Sequence, residues 1–290
     1  MPTDTEDKME GLKNFISAEE LRDIMYDKNV FILDCRFDLF DPAVYGKKAY
    51  AEEHIEGAYY IDVDDDLSRD LKPHGGRRAI PDPEKLGAKL ADLGIDMDSK
   101  IVCYDDGIAA ACRARWQLVY MGYKDVKILD GGFKGWKKAG YPVTAGVPVP
   151  RGKGTFKADI HDDMYADKDY VLKIMDDPDI TLVDCRGHKR YTGEVEPLYS
   201  KKGHIPTALN LSCDENVKDD IYVVDKETMK KNFEGVVGKK ETVLYCGSGI
   251  SAAINLACMD ELGEKVRMYV GSMSDWITYD ELEVEQGENK

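Results

Sequence analysis

One cysteine, Cys246, follows directly after an apolar run and opens the glycine-containing loop CGSGIS, residues 246–251. The run ETVLY before it predicts a buried parallel strand, and the segment after the loop predicts a helix. Such a strand delivers its last residues to the carboxyl edge of a sheet, where α/β proteins bind ligands. The backbone N–H groups of a tight glycine loop and of a helix N-terminus together form an anion-binding cradle.

A thiol in that cradle has its thiolate stabilised and its pKa lowered. The same N–H groups would stabilise a persulfide anion after transfer of a sulfur atom. The position of Cys246 therefore predicts a nucleophile. The alternative is a buried strand-end cysteine beside a structural glycine turn. Ser251 is predicted to cap the helix after the loop through its side-chain oxygen.

The chain has seven cysteines, an odd number, and no CxxC pair. These features argue against a disulfide framework and a structural zinc site, and they favour a reducing cytoplasm. Cysteines that open no glycine-rich loop are interpreted as small buried hydrophobic residues. Cys185, at a strand end, could approach Cys246 and form a regulatory disulfide.

The formal net charge of the chain is −16. This excess repels phosphate backbones and anionic membranes, so nucleic acid and lipid surfaces are not expected partners. No stretch approaches roughly 18 consecutive apolar residues, so no membrane span is predicted. The acidic N-terminal segment lacks the apolar run of a secretory signal, which again favours the cytoplasm. Residues 1–10 and the C-terminal EVEQGENK are predicted to fray.

Several motifs recur in the same order and at similar spacing along the two halves. FILDCR, ending at Arg36, matches ITLVDCR, ending at Arg186, and HIEGAYYID matches HIPTALNLS. IVCYDDG then matches TVLYCGSG, and GGFKGW matches GSMSDW. Ordered matches of this kind indicate a duplicated domain.

Each half alternates predicted strands and helices. In the first half, Ser17 and Glu20 form a capping-box pattern that opens a helix. The alternation implies a parallel sheet covered by helices. A segment rich in proline and glycine, residues 146–156, predicts a linker between a domain of residues 1–145 and a domain of residues 157–290.

The two halves together resemble the tandem-domain rhodanese family of thiosulfate and 3-mercaptopyruvate sulfurtransferases, from about residue 14 to about residue 279. The motifs include GGRRAIPDPEKL in the first half, and LVDCRGHKRYTGEVEP, GHIPTALNL and YCGSGISAAINL in the second. The resemblance implies an α/β fold of two rhodanese-like domains, each a central parallel sheet flanked by helices on both faces. It also implies a catalytically inactive first copy, which here has Tyr104-Asp105 where the second has Tyr245-Cys246.

The resemblance implies an enzyme that moves sulfane sulfur from 3-mercaptopyruvate to a thiol acceptor or cyanide through a Cys246 persulfide, releasing pyruvate. The neutral residues after the cysteine are similar to the mercaptopyruvate class, whereas the thiosulfate class places basic residues there. One alternative is a thiosulfate:cyanide sulfurtransferase with the same cysteine, and another is a non-catalytic, sulfur-binding regulatory module. Related phosphatases have a loop one residue longer that ends in arginine, so phosphatase activity is not expected.

The implied partners are a small-molecule sulfur donor and a thiol acceptor, such as a thioredoxin-like protein or a small thiol. This chemistry needs no metal and no organic cofactor. The residues that the resemblance places against the substrate are Arg186, Arg190, Gly247, Gly249, Ile250 and Ser251.

Arg186 and Arg190 match family arginines that hold the carboxylate and carbonyl of the donor, a task that suits the arginine fork. The alternative for Arg186 is a salt bridge with Asp184 or Glu196. Ser248 would relay a proton or donate a hydrogen bond to the departing oxygen or sulfur, and its alternative is a simple loop hydroxyl.

Asp64 matches a family acidic residue that reaches across the cleft from the inactive copy, and its alternative is a solvated acidic turn. The chain departs from the family at Arg78, where many members carry a histidine, and the added positive charge would also help bind thiosulfate. His74 is interpreted as a surface-loop residue. His54 and His204 precede a strand in both copies, which favours a structural role.

Overall fold

The computed structural model describes residues 11–288, which form two α/β domains of the same topology. The elements of the first domain are β1 (Phe15–Ile16), α1 (Ala18–Ile24), β2 (Val30–Asp34), α2 (Tyr45–Glu52), β3 (His54–Ile55), β4 (Ala58–Tyr60), α3 (Pro83–Asp92), β5 (Lys100–Tyr104), α4 (Ala109–Tyr120), β6 (Asp125–Leu129), α5 (Gly132–Lys138) and β7 (Val143–Thr144). Five strands pair in parallel in the order β1-β6-β5-β2-β4. Strands β3 and β7 form a separate antiparallel pair.

The second domain repeats this arrangement after a 3-10 helix at Asp162–Met164. Its elements are β8 (Tyr165–Ala166), α6 (Lys168–Ile174), β9 (Ile180–Asp184), α7 (His188–Tyr191), β10 (Leu209–Asn210), a 3-10 helix (Cys213–Asn216), β11 (Val217–Lys218), β12 (Tyr222–Val223), α8 (Lys226–Asn232), β13 (Glu241–Tyr245), α9 (Ala252–Glu261), β14 (Val266–Tyr269) and α10 (Ser272–Trp276). The parallel sheet runs in the order β10-β9-β13-β14-β8. The two domains therefore have the same sheet topology, as the motif repeat predicts.

Strand β2 shows how each sheet is buried on both faces. Phe31 and Leu33 belong to one apolar core, whereas Ile32 lies in the core on the opposite face. In the second domain, Leu244 and Val243 of β13 divide between two cores in the same way. A strand covered on both faces is apolar throughout, which explains the continuous hydrophobic runs. The predicted α/β fold class, with helices on both faces of each parallel sheet, is confirmed.

Local sequence signals fix the ends of two helices in the first domain. Ser17 accepts a hydrogen bond from the Glu20 N–H, and the Glu20 carboxylate accepts one from the Ser17 N–H at 2.8 Å, which completes the predicted capping box. Helix α3 begins after Asp82, whose carboxylate accepts from the Glu84 N–H at 3.0 Å. Beyond its end, Gly94 has a φ of +95°, a left-handed conformation that glycine adopts without strain.

The two domains share one continuous apolar core between their facing helices. Helix α4 packs against α9, and buried residues of both belong to the same hydrophobic cluster. At the edge of this contact, Arg115 pairs with Asp260 at 3.0 Å, and the Asn14 side chain donates to the Ala257 carbonyl at 2.9 Å. The first domain is therefore in direct contact with the helix that follows Cys246.

The predicted linker, residues 146–156, packs along the first domain. The Gly154 N–H donates to the Ala91 carbonyl at 2.7 Å, and the Phe156 ring lies against Gly87 of α3, where only glycine leaves room for it. Phe156 also stacks on Tyr123 with ring centroids 6.0 Å apart. The domain boundaries on either side of this segment stay predictions.

The prediction that EVEQGENK frays is wrong for its described part. Glu285 and His204 exchange two backbone hydrogen bonds of 2.9 Å each, and the Gly287 N–H donates to the Thr192 carbonyl at 2.9 Å. These bonds secure an acidic stretch that has no apolar pattern of its own. Residues 1–10 lie outside the described residues. Within residues 11–288, no helix has the length and apolar character needed to cross a membrane.

Candidate active site

Cys246 lies between β13 and α9 at the carboxyl edge of the second sheet, and its side chain is buried. Its sulfur receives hydrogen bonds from the hydroxyl of Ser251 and from the backbone N–H groups of Ala252, Ser248 and Gly249. Gly249 has a φ of +74°, and a β-carbon there would lie 2.5 Å from the Val270 carbonyl oxygen. Only glycine therefore allows the loop to turn its N–H groups toward the sulfur.

These hydrogen bonds decide the ionisation of the thiol. Burial raises the pKa of Cys246, but the bonds from the Ser251 hydroxyl and from the loop N–H groups outweigh burial and leave the pKa below its ordinary value. Burial has the opposite net effect at other cysteines, since it raises the pKa of Cys112, Cys185 and Cys258. The loop thus distinguishes Cys246 from cysteines that are equally buried.

The predicted capping role of Ser251 is wrong. Its side chain makes no capping hydrogen bond to α9, and its φ of −69° and ψ of −26° are already helical. An N-cap side chain reaches the helix N–H groups from an extended backbone, which Ser251 lacks. Its hydroxyl points instead to the Cys246 sulfur, and it is also within hydrogen-bonding reach of Cys213.

Ser248 connects the cysteine loop to the first domain. Its Oγ accepts a hydrogen bond from Arg78 Nη1 at 3.1 Å, and the Nε of Arg78 donates to the Asp64 carboxylate at 2.8 Å. Both Ser248 and Arg78 are buried, and the Arg78 guanidinium also lies over the Phe37 ring. Asp64 is linked to the loop through Arg78, and its own role in the reaction stays a prediction.

Arg186 forms the salt bridges that the sequence analysis gives as its alternative role. Its guanidinium is buried and bonded to Asp184 at 2.6 Å, Glu196 at 3.0 Å and the Gly203 carbonyl at 2.6 Å. Arg36 makes the equivalent ion pair in the copy that lacks the cysteine, so this arrangement serves the fold. These contacts use most of the Arg186 donors, and one of them holds the buried Glu196 carboxylate.

Arg190, in contrast, faces the mouth of the loop. Its Nη2 donates to Glu196 at 2.8 Å, and its guanidinium lies over the Tyr199 ring. The side chain of Arg190 is 24% exposed to solvent. Arg190 Nη1 lies 3.6 Å, and the Tyr199 hydroxyl 3.0 Å, from the point that a β-carbon on Gly247 would occupy. Sequence reasoning missed Tyr199, because nothing in its local pattern indicates proximity to the cysteine.

The first copy keeps the cradle but fills it with a carboxylate. Asp105 follows β5 as Cys246 follows β13, and its Oδ2 accepts from the Ala110 N–H at 2.8 Å. Burial raises the pKa of Asp105 to about 7, although bonds from the N–H groups of Ala110 and Ala111 act in the opposite direction. A carboxylate is no sulfur nucleophile, which supports the interpretation of the first domain as inactive.

Three histidines, His54, His74 and His204, have hydrogen-bond partners outside residues 246–251. His54 and His204 are buried, and each stacks on a tyrosine, Tyr50 or Tyr191, with centroids 3.9 Å apart. Their repeated environment favours the structural role that the sequence predicts. His74 is exposed and accepts or donates a 2.8 Å hydrogen bond with the Thr278 hydroxyl of the other domain.

Comparison with known proteins agrees with this architecture. The rhodanese-like domain family matches the chain twice, at residues 17–139 and 167–279. A probable 3-mercaptopyruvate sulfurtransferase from Pseudomonas aeruginosa is 37% identical, over 91% of this chain and 94% of that protein. A putative thiosulfate sulfurtransferase, SseB from Mycobacterium tuberculosis, is 33% identical, over 90% of this chain and 93% of that protein.

Among solved structures, the 3-mercaptopyruvate sulfotransferase SseA from Escherichia coli superimposes with a TM-score of 0.79 at 28% identity, covering 90% of this chain and 98% of SseA. Two parallel-sheet domains with a single cysteine cradle define the class of two-domain sulfurtransferases. The chain belongs to the rhodanese family, and it is a sulfurtransferase.

Proposed function

We propose that this protein transfers sulfur from 3-mercaptopyruvate to a thiol through a persulfide on Cys246 and releases pyruvate. The observation that carries the proposal is the set of hydrogen bonds from Ser251, Ser248, Gly249 and Ala252 to one sulfur, which lowers the pKa of Cys246 despite complete burial. Relatives named as 3-mercaptopyruvate sulfurtransferases support the choice of donor.

In the first step, the Cys246 thiolate attacks the sulfur atom of the donor. The new S–S bond forms as the C–S bond breaks, and the electron pair of that bond remains on pyruvate as its enolate. Ser248 accepts a hydrogen bond from Arg78, so its own hydroxyl proton is free for donation to the departing oxygen or carbon. The buried positive charge of Arg78 stabilises the developing negative charge nearby.

In the second step, an acceptor thiolate attacks the outer sulfur of the persulfide. The acceptor leaves as a persulfide, and the electron pair of the broken S–S bond returns to Cys246, whose anion the loop N–H groups again stabilise. Cyanide can replace the thiol and leaves as thiocyanate. Sulfurtransferases of this kind use small-molecule donors and thiol acceptors, and we propose a thioredoxin-like protein or a small thiol as the acceptor here.

Arg190 is proposed to bind the carboxylate of mercaptopyruvate, because it is a partly exposed guanidinium beside Gly247 of the loop. Arg186 supports it indirectly through Glu196, which both arginines contact. Asp64 positions Arg78 in the same indirect way. The residues proposed to form the walls around the transferred sulfur are Gly247, Gly249, Ile250 and Ser251.

Thiosulfate is the second candidate donor, and Arg78 is the observation that favours it. This buried guanidinium adds positive charge behind a loop whose own residues are neutral. A compact dianion would profit from that charge more than a donor with one distant carboxylate. The relative from M. tuberculosis carries the name of a thiosulfate sulfurtransferase.

The test is to incubate the protein with mercaptopyruvate or thiosulfate and to measure its intact mass, together with released pyruvate or sulfite. We expect one added sulfur atom and one pyruvate per chain in the first turnover, followed by many turnovers when a thiol is supplied. Cys246→Ala should abolish the added mass, and Cys258→Ala serves as the matched buried control. Faster loading from thiosulfate would overturn the donor, and loading without turnover would indicate a sulfur-binding module.

A further inference from the structure

Arg113 is a buried arginine of the first domain that contacts the cysteine loop of the second. It lies on α4, its side chain is fully buried, and its Nη1 donates to the Gly249 carbonyl of the second domain at 3.1 Å. Its Nη2 donates to the Leu67 carbonyl at 2.9 Å and to the Gln117 side chain at 3.0 Å. The catalytic loop is thus anchored by a guanidinium that belongs to the inactive copy.

The acceptors around Arg113 are neutral. Within residues 11–288 no carboxylate forms an ion pair with it, and its Nε has no hydrogen-bond partner there. Arg115, one position removed on the same helix, pairs with Asp260 at 3.0 Å, as a buried arginine ordinarily does. A buried cation without a counter-charge destabilises the folded state. A nearby anion would lower this cost in free energy.

The candidate for that anion is the sulfur of Cys246. Burial lowers the pKa of Arg113 to about 9, the negative charge of Cys246 acts to raise it, and the positive charge of Arg78 acts to lower it. Arg113 is also coupled to the sulfur through the backbone, since it holds the carbonyl of Gly249, the residue whose N–H donates to Cys246.

We propose that Arg113 is a positioning residue by which the inactive domain stabilises the anionic sulfur of the active one, both as a buried counter-charge and by fixing the Gly249 carbonyl, and with it the conformation of that residue. The proposal rests on Cys246 being the sulfur carrier but does not depend on which donor is used. It gives the first domain a part in the chemistry besides packing.

Other groups also face the sulfur and contribute to its ionisation. The thiols of Cys185 and Cys213 and the phenol of Tyr199 interact with the charge of Cys246 from within the second domain. From the first domain, Arg78 reaches Ser248 and is itself paired with Asp64. These groups are the same in the variants below, so a change between variants reports on Arg113.

The test measures the rate of Cys246 alkylation by iodoacetamide against pH, with the modified site identified by peptide mass. Arg113→Gln keeps a hydrogen-bond donor but removes the charge, and we expect the apparent pKa of Cys246 to rise by roughly one unit or more. Arg113→Lys keeps the charge and should restore most of the shift. Arg115→Gln is the matched control on the same helix and should leave the pKa of Cys246 unchanged.

An unchanged alkylation profile in Arg113→Gln, or an equal rise in Arg115→Gln, would overturn the proposal. Because the assay uses no sulfur donor, an error in the proposed function leaves its result intact. If Arg113→Gln does not fold, the wild-type protein labelled with ¹⁵N-arginine provides the measurement. The chemical shift of Arg113 should then change with pH as Cys246 titrates, and this change should be absent in Cys246→Ala. A chemical shift that does not respond to the thiol would contradict the proposal.

Discussion

Arg78 of the first domain donates a 3.1 Å hydrogen bond to the hydroxyl oxygen of Ser248 in the second, directly beside the nucleophile. A guanidinium carries N–H donors and no acceptor, so it donates to that oxygen and leaves the hydroxyl proton directed elsewhere. Ser248 is thereby prepared to act as a donor toward the substrate. This contact makes the site a joint product of both domains.

The first prediction concerns this contact. Arg78→Met should lower kcat/KM for mercaptopyruvate by roughly a hundredfold, because one preorganised charge and one hydrogen bond disappear from the site. Arg78→Gln keeps a donor without the charge and should lose less. Steady-state release of pyruvate, with the melting temperature of each variant as a control, checks this. Wild-type kcat/KM in a folded Arg78→Met variant would contradict the proposed role.

The second prediction is the pH dependence of the nucleophile. Since the pKa of Cys246 is lowered, its thiolate predominates at a lower pH than that of an ordinary cysteine. The rate of sulfur loading should therefore rise with pH and reach its plateau below the ordinary thiol pKa of about 8.5. Ser251→Ala removes one hydrogen bond to the sulfur and should shift the whole profile to higher pH.

Single-turnover loading from mercaptopyruvate across a pH series provides the measurement. Cys258 is equally buried, and its raised pKa is caused by burial, Glu261 and Asp130, so Cys258→Ala should retain the wild-type profile. A Ser251→Ala profile that coincides with wild type would show that the hydroxyl serves another purpose.

The third prediction uses the carboxylate that replaces the cysteine in the first domain. Burial raises the pKa of Asp105 to about 7, so the folded state holds its proton more tightly than the unfolded chain does. The resulting stabilisation is present in full below the unfolded pKa of about 4, and it is lost as pH rises toward the folded value.

Asp105→Asn removes this titration. Relative to the variant, the wild-type protein should therefore lose about 2 kcal/mol or more of unfolding free energy between pH 4 and pH 8. Urea unfolding of both proteins across that range checks the difference, in which titrations common to the two cancel. A pH-independent difference would contradict the raised pKa.

The fourth prediction separates the two arginines of the DCRGHKRY motif. Arg190→Met should raise KM for mercaptopyruvate by roughly tenfold or more, because a carboxylate loses its charged partner, while stability changes little. Glu196 stays paired in this variant, since Arg186 also contacts it at 3.0 Å.

Arg186→Met should instead destabilise the protein by about 3 kcal/mol, because it leaves Asp184 buried without its cation. Arg36→Met, in the inactive copy, is the matched control and should be destabilised similarly without a specific rise in KM. Unfolding by urea and KM for mercaptopyruvate distinguish the two effects. A large change in KM with unaltered stability in Arg186→Met would show that Arg186 binds the substrate.

The duplicated α/β fold and the cysteine loop could be predicted because their signals are local. Strand β13, Cys246, two glycines and α9 are contiguous, so periodicity and spacing alone place a thiol at helix N–H groups. The capping box at Ser17 is equally local. The cap predicted at Ser251 was wrong because its helical backbone turned the hydroxyl toward sulfur, a choice that residue type does not reveal.

The sequence by itself determined the family, the duplication and the position of Cys246 at the start of its loop, since the motifs behind each are contiguous along the chain. Only the tertiary structure decided that Arg78 and Arg113 meet the loop, across separations of 170 and 136 residues. It also decided that Arg186 is paired with buried carboxylates, whereas Arg190 is partly exposed beside Gly247 of the loop. These outcomes depend on how the two domains pack against each other. A charge acts through space on neighbouring groups, and domain packing decides which groups are its neighbours.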